Sequence, residues 1–324
     1  MKVVVIGRFP EDSRRRIAAC FPEDWSVCVT APEEAGGSLR DAAAVIPEHA
    51  VVDARFLDQA PKLAMVQTGA GFDNVDIPAC TRRGVRVCNA AGVNAAAVAE
   101  HVMALMLGWY KNIPKLDRLM KTRREGRELC YTGAELSGRT AGIIGLGSIG
   151  RRVAELCGAF GMRVLGTSRR RQTVPGVVWT DLERICRESE VITVHVPLND
   201  QTHHLLDQSA FEIMRRDALL INTSRGAVIH EAHLIEALER RAIAGACLDV
   251  YEQEPLAEDS PLRDFPNVIL TPHTAGFPDG VNFHAGRYRF FAENIRRLLD
   301  GRVPENALND VPVLRMPRRA PEDV

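Results

Sequence analysis

The sequence predicts an α/β protein built on two doubly wound parallel sheets. Three observations carry that expectation. The chain has 324 residues, more than one simple core accommodates. Short apolar runs alternate with helical segments twice over, in the first hundred residues and again after residue 140. The stretch "GIIGLGSIG" (142–150) joins an apolar strand to an amphipathic helix through a glycine-rich turn.

In the first series, "KVVVIG" (2–7), "AAVIP" (43–47), "LAMVQT" (63–68) and "VRVCNA" (85–90) read as buried strands bounded by Gly, Pro and Asn. "EDSRRRIAACF" and "VDIPACTRRG" read as helices between them. A long helix is expected over 94–113, with Asn94 as N-cap and Pro114 ending or bending it, and a second charged helix over 115–128. The second series has six strands: the one before the glycine turn, then 163–168, 191–197, 218–224, 242–250 and 267–273. Helices of suitable length fit between most of them, which is the doubly wound pattern. A last helix over 286–301 stops at Gly301, and the Pro-rich, charged tail "RMPRRAPEDV" is expected to be disordered.

Composition excludes several classes. A formal net charge of −1 gives no basic field for nucleic acid or a membrane surface. No run reaches the 18 or so apolar residues of a membrane-spanning helix, and "MKVVVIGRFP" reads as a buried strand rather than a signal peptide, so a cytoplasmic protein is expected. The eight cysteines form no CxxC and are expected to be reduced, largely buried thiols. His203 and His204 are adjacent, a poor spacing for two ligands, and no metal site is expected.

The glycine turn has the context that dinucleotide binding needs. Gly145 permits the tight turn, Gly147 lets backbone N–H groups approach a pyrophosphate, and Gly150 lets helix and strand pack closely. A structural turn or another nucleotide-like ligand, such as S-adenosylmethionine, is the competing reading. About 20 residues on, such folds carry an Asp or Glu for the ribose 2′-hydroxyl. Here "GTSRRRQ" (166–172) has no acid. Ser168 can donate to a 2′-phosphate, and Arg169, with Arg170, can neutralise it. NADP(H) is therefore expected over NAD(H), with a solvated basic loop as the bland alternative.

Three polar residues follow strands of the second series: Arg225 in "INTSRGAV", Glu254 in "DVYEQEP" and His273 in "LTPHTAG". Strand C-termini are where such sheets bind ligands. An Arg can grip a carboxylate, a His can pass a proton to a carbonyl oxygen, and a Glu bonded to that His fixes its tautomer.

With these motifs the chain resembles the D-isomer-specific 2-hydroxyacid dehydrogenases, and does so along nearly its whole length. The matching stretches are "QTGAGFDNVD" (67–76), "NAAGVNAAAVAEHVMALML" (89–107), "ELSGRTAGIIGLGSIGRRVA" (135–154), "VHVPLNDQTHHLLD" (194–207), "INTSRGAVIHEAHLIEAL" (221–238), "CLDVYEQEPL" (247–256) and "VILTPHTAG" (268–276). The resemblance implies two Rossmann-like domains: a discontinuous substrate-binding lid, 1–100 and 285–324, and an inserted dinucleotide-binding domain, 101–284. Hinge helices over 94–113 and 283–300 would join them, and closure over a cleft would exclude water. Arg225 would bind the substrate's carboxylate and keto oxygen. His273 would be the acid in reduction and the base in oxidation, paired with Glu254. The loop Gly69, Ala70, Gly71 and Phe72 would hold the carboxylate through backbone N–H groups. Asp249 would accept from the nicotinamide carboxamide, and Ser148 and Ile149 would meet the pyrophosphate. His195, Val196, Pro197, Thr202, Thr223, Ser224 and Gly276 would line the rest of the cofactor path. A homodimer is the family's expectation.

The chain also departs from the family. A "GxW" stretch common before the cofactor strand is replaced by "REGRE" (124–128), which puts the dimer contact in doubt. Glu48 and His49 stand where some relatives place an Arg, and no regulatory domain follows, so a phosphorylated substrate is not expected. A short 2-keto acid, glyoxylate or hydroxypyruvate, is the preferred expectation. The alternatives are an NAD-preferring dehydrogenase of a bulkier 2-keto acid, formate or phosphite oxidation on the same fold, and a dinucleotide-sensing corepressor-like binding module.

Overall fold

The computed structural model describes residues 1–48, 50–124, 133–277 and 283–312. The chain divides into two compact units, one formed by Met1–Asn94 with the chain from Phe277 onward, the other by Ala95–Gly276. The sequence expectation had set these boundaries at 100/101 and 284/285.

The first unit holds a five-stranded, wholly parallel sheet of β1 (Lys2–Ile6), β2 (Ser26–Thr30), β3 (Ala44–Pro47), β4 (Met65–Gln67) and β5 (Arg86–Cys88), in the order β2-β1-β3-β4-β5. Both faces of β1 are covered, so its run "VVVI" is apolar throughout rather than alternating. Val4 and Ile6 pack into one cluster with Leu39, Leu57 and Val66. Val3 and Val5 pack into another with Ile17, Phe291 and Ile295. The helix Ala285–Leu299 supplies that second face, burying Tyr288, Phe291, Ala292, Ile295 and Leu298 at helical spacing.

The second unit holds a seven-stranded parallel sheet: β6 (Thr140–Ile144), β7 (Arg163–Thr167), β8 (Val177–Trp179), β9 (Val191–Val194), β10 (Leu219–Asn222), β11 (Gly245–Leu248) and β12 (Val268–Leu270). The order is β12-β11-β10-β9-β6-β7-β8. The chain turns from one half of the sheet to the other between β6 and β9, which is the switch point of a doubly wound fold. Ile143 and Ile144 point to opposite buried clusters, as the two-residue strand period requires. The α/β architecture with two parallel sheets is the one the sequence predicts.

Two strands were not expected, β2 and β8, and each closes an edge of its sheet. "SVCVT" is only partly buried and "VVW" has just three residues, so neither shows a core strand's unbroken apolar signal. The long helix is also shorter than its sequence pattern. It runs Ala95–Tyr110 and breaks at Asn112, which has a left-handed φ of 54°. Pro114 does not end that helix. It sits in the first turn of the next one, Ile113–Lys121, where its missing N–H costs nothing. Asn94 directly precedes the long helix, but its Oδ1 is buried without a partner. The "REGRE" stretch beyond residue 124 and the tail after residue 312 lie outside the described residues.

One polar cluster ties the last helix into the first unit. Asn294 is 1% exposed, donates to Gln67 Oε1 at 2.9 Å and to the Glu305 carbonyl at 3.0 Å, and accepts from the Glu305 N–H at 2.8 Å. Truncating it orphans the buried Gln67 Oε1, a loss of roughly 1–3 kcal/mol, and releases the Glu305 backbone. Asn294→Ala should lower the stability of the first unit by about 2 kcal/mol or more in urea denaturation, on that same scale. An unchanged midpoint would show that the cluster holds nothing.

Candidate active site

The second unit brings Glu254 and His273 into direct contact. His273 Nδ1 lies 2.7 Å from Glu254 Oε2. The other carboxylate oxygen accepts from the Tyr251 N–H at 3.2 Å. Burial pushes the Glu254 carboxyl up, but the hydrogen bond and charge of His273, the Tyr251 N–H and the charge of Arg225 together hold it below the ordinary value. Glu254 is then a carboxylate, which only accepts, so Nδ1 must be the donor. The tautomer is fixed with the proton on Nδ1, and Nε2 is the ring nitrogen through which the imidazole exchanges a proton.

His273 is placed by its turn. Its φ is 54°, in the left-handed region that a non-glycine residue enters only when its surroundings require it. The surroundings are Asp249. This carboxylate is fully buried, and both its oxygens are used within the unit. Oδ1 accepts from Thr271 Oγ1 at 2.5 Å and from the Thr274 N–H at 2.9 Å, and Oδ2 accepts from the Ala275 N–H at 2.9 Å. The His273 N–H donates to the Asp249 carbonyl at 2.8 Å. The chain from Thr271 to Ala275 therefore wraps one carboxylate at the end of β11. His101, from the long helix, meets Thr271 Oγ1 at 3.1 Å behind it.

Arg225 follows β10 in a tight segment held by Asn222. The Asn222 Nδ2 donates to the Arg225 carbonyl at 2.9 Å, and its Oδ1 accepts from the Ser224 N–H and hydroxyl. Gly226 then lies flat on the Tyr251–Glu252 backbone. A Cβ there would stand 1.9 Å from the Tyr251 carbonyl oxygen. Only glycine lets the Arg225 segment approach the segment carrying Glu254 so closely. Thr223 Oγ1 is buried without a partner. Asn222, Gly226, His101, Tyr251 and Thr271 escaped the sequence reading. Gly226 was the one with a visible signal, a glycine directly after the candidate Arg.

The glycine turn has its expected geometry. Gly145 has φ 103°, and a Cβ on it would stand 2.5 Å from the His195 carbonyl oxygen. Gly150 faces the Gly145 carbonyl so closely that a Cβ would stand 1.9 Å from it. Gly147 has open space beside its Cα and precedes the helix Ser148–Ala159. Ser148 and Ile149 sit in that helix's first turn, whose backbone N–H groups have no intrahelical acceptors. The His195 ring turns inward to Thr193 Oγ1, with Nδ1 buried, and burial pulls its pKa down to about 3, so it is neutral. Thr202 Oγ1 donates to the Pro197 carbonyl at 2.6 Å and shapes the loop after Val196. Gly276 closes the second unit, one residue beyond Ala275.

At the end of β7, Ser168 Oγ donates to the Arg170 carbonyl at 2.7 Å. Arg169 and Arg170 are exposed and form no ion pair among the described residues. In the first unit, the N–H groups of Gly69, Ala70 and Gly71 have no acceptor among the described residues. The Gly69 carbonyl accepts from the Ala90 N–H at 2.9 Å, and the Ala70 carbonyl from Asn89 Nδ2 at 3.1 Å. The loop is anchored by its carbonyls and presents a run of N–H donors.

Residues 103–275 match the family model described as D-isomer specific 2-hydroxyacid dehydrogenase, NAD binding domain. Over 278 residues the chain is 38% identical to the glyoxylate reductase of Aeropyrum pernix, covering 82% of each. Over 272 residues it is 39% identical to the D-3-phosphoglycerate dehydrogenase of Archaeoglobus fulgidus, covering 82% of this chain but 51% of that protein. Among solved structures it resembles an NADPH-dependent glyoxylate/hydroxypyruvate reductase from Sinorhizobium meliloti in complex with NADP and malonate. The TM-score is 0.84 at 26% identity, over 98% of this chain and 99% of that one. The chain belongs to the D-isomer-specific 2-hydroxyacid dehydrogenases, NAD(P)-dependent oxidoreductases that act on CH–OH groups.

Proposed function

We propose that the chain is an NADP(H)-dependent 2-keto acid reductase of short substrates, glyoxylate or hydroxypyruvate, running the oxidation of D-2-hydroxy acids in reverse. The observation that carries the reading is the 2.7 Å contact between a carboxylate-paired His273 and Glu254, beside the Arg225 segment. The bound nicotinamide supplies or accepts the hydride. Arg225 holds the substrate's carboxylate and keto oxygen, and the free N–H groups of Gly69–Gly71 take the same carboxylate. His273 Nε2 gives its proton to the keto oxygen in reduction and takes it back in oxidation. Glu254 keeps the imidazole oriented and stabilises its charged form. In this reading the first unit is the substrate lid and the second the cofactor domain.

The cofactor preference rests on Arg169 and Arg170, exposed and unpaired where other folds of this kind carry an acid. A phosphate on the ribose gives them a partner. A homodimer and a cytoplasmic setting belong to the same reading. The Aeropyrum and Sinorhizobium relatives favour the glyoxylate and hydroxypyruvate substrates, and the Archaeoglobus relative is the reason to test a bulkier one.

Two outcomes are expected. Arg169→Ala with Arg170→Ala should lower the ratio of kcat/KM for NADPH over NADH by about tenfold or more, the scale of one or two charge-assisted phosphate contacts. An unchanged ratio, read from nicotinamide absorbance, would make the arginines a solvated loop. Glu254→Gln should cut kcat about 100-fold, the lower end of what general acid–base catalysis contributes. The sign of the pH effects follows from the depressed carboxyl. Glu254 holds its proton less tightly folded than unfolded. Its pairing therefore stabilises the protein above the ordinary carboxylate range and is lost as pH falls through the lowered value. With glutamine the imidazolium loses its counter-charge, so the alkaline limb of the reduction profile should move to lower pH. An unmoved limb with full turnover would remove Glu254 from the mechanism.

A further inference from the structure

Arg287 stands beside the Gly69 loop with part of its guanidinium unused. It occupies the third position of the helix Ala285–Leu299, and its side chain is only 12% exposed. One end is fully engaged. Nη2 donates to Glu48 Oε1 at 2.7 Å and reaches Tyr288 OH at 3.2 Å, while the Tyr288 hydroxyl donates to the same Glu48 oxygen at 2.7 Å. The guanidinium also lies over the rings of Phe277 at 5.4 Å and Phe291 at 5.7 Å. The rest is free. Nε is buried with no hydrogen-bond partner, and Nη1 has no acceptor among the described residues. A Cβ on Gly69 would stand 3.5 Å from that Nη1.

A guanidinium donor held in place without an acceptor, as Nη1 is beside the Gly69 loop, discriminates when a ligand oxygen completes it. Glu48 already cancels the charge of Arg287, so the free donors offer hydrogen bonds with little net charge behind them. That suits a neutral hydroxyl better than a second carboxylate, which would also face the Glu48 anion. We infer that Arg287 is a specificity-determining residue that donates to a hydroxyl on the third carbon of the 2-keto acid. The inference rests on the assignment of the Gly69–Gly71 loop to the substrate's carboxylate. It also gives Glu48 a role: it neutralises and aims Arg287, and so selects against dicarboxylates.

Hydroxypyruvate and pyruvate differ only in that hydroxyl, so their kcat/KM ratio with NADPH is the direct readout on the full chain. Arg287→Met should lower the ratio of hydroxypyruvate to pyruvate at least tenfold. Arg287→Lys keeps the ion pair with Glu48 but loses the fork, and should lower the ratio in the same direction while preserving the fold. Glu48→Gln should raise oxaloacetate relative to hydroxypyruvate. A folded Arg287→Lys protein whose hydroxypyruvate-to-pyruvate ratio stays within twofold of the parent's would overturn the assignment. If the chain turned over none of these acids, the reductase reading would fail separately. Calorimetric binding of D-glycerate against D-lactate would then decide Arg287. A glycerate preference that Arg287→Lys abolishes sustains it, and equal binding of the two acids to the parent chain overturns it.

Discussion

The site in the second unit depends on one buried carboxylate. Asp249 follows β11, is fully buried, and is surrounded by hydrogen-bond donors, with His101 Nε2 3.7 Å from Oδ1. A buried anion is tolerated only when donors surround it. Here the donors are the hydroxyl of Thr271 and the N–H groups of Thr274 and Ala275, so satisfying Asp249 bends the chain around it. The bend places His273 in a left-handed conformation, and that conformation turns its Nδ1 toward Glu254. The left-handed conformation of His273 is sustained by the Asp249 network.

A second constraint is steric. Glycines at 145, 150 and 226 stand where any side chain would collide with backbone. The first two let the helix after β6 begin directly against the strand, which leaves its opening N–H groups for a pyrophosphate. The third lets the segment carrying Arg225 lie on the segment carrying Glu254. Arg225, Glu254 and His273 are thus held by backbone contact and hydrogen bonds in the second unit. In the first unit a separate ion pair joins Glu48 and Arg287, although they are 239 residues apart.

Much of this was legible in the sequence for identifiable reasons. Central strands of parallel sheets are buried on both faces, so β1, β6, β9 and β10 appear as predominantly apolar runs. The glycine turn and the residues Arg225, Glu254 and His273 are local signals, each close to the end of a strand. What was illegible depends on tertiary contact. The edge strands β2 and β8 bury too little to stand out. Asp249 was expected to face the cofactor, and nothing in "CLDV" announces that both its oxygens are engaged by a loop 22 to 26 residues later. The inward turn of the His195 ring is set by Thr193, two residues before it in β9. Arg287 looks like any basic residue on an amphipathic helix until Glu48 and Gly69 are placed beside it.

The central claim is that Asp249 positions His273 before any cofactor binds. Nitrogen-15 NMR of the histidine-labelled, cofactor-free protein tests it most directly, comparing the parent chain with Asp249→Asn. The substitution keeps the side chain's shape but turns one acceptor into a donor facing donors. The account predicts a hydrogen-bonded Nδ1 proton on His273 in the parent that is lost in the variant, with the thermal melt of the second unit still cooperative. A variant that kept the Nδ1 signal and reduced 2-keto acids at the parental rate would contradict the account.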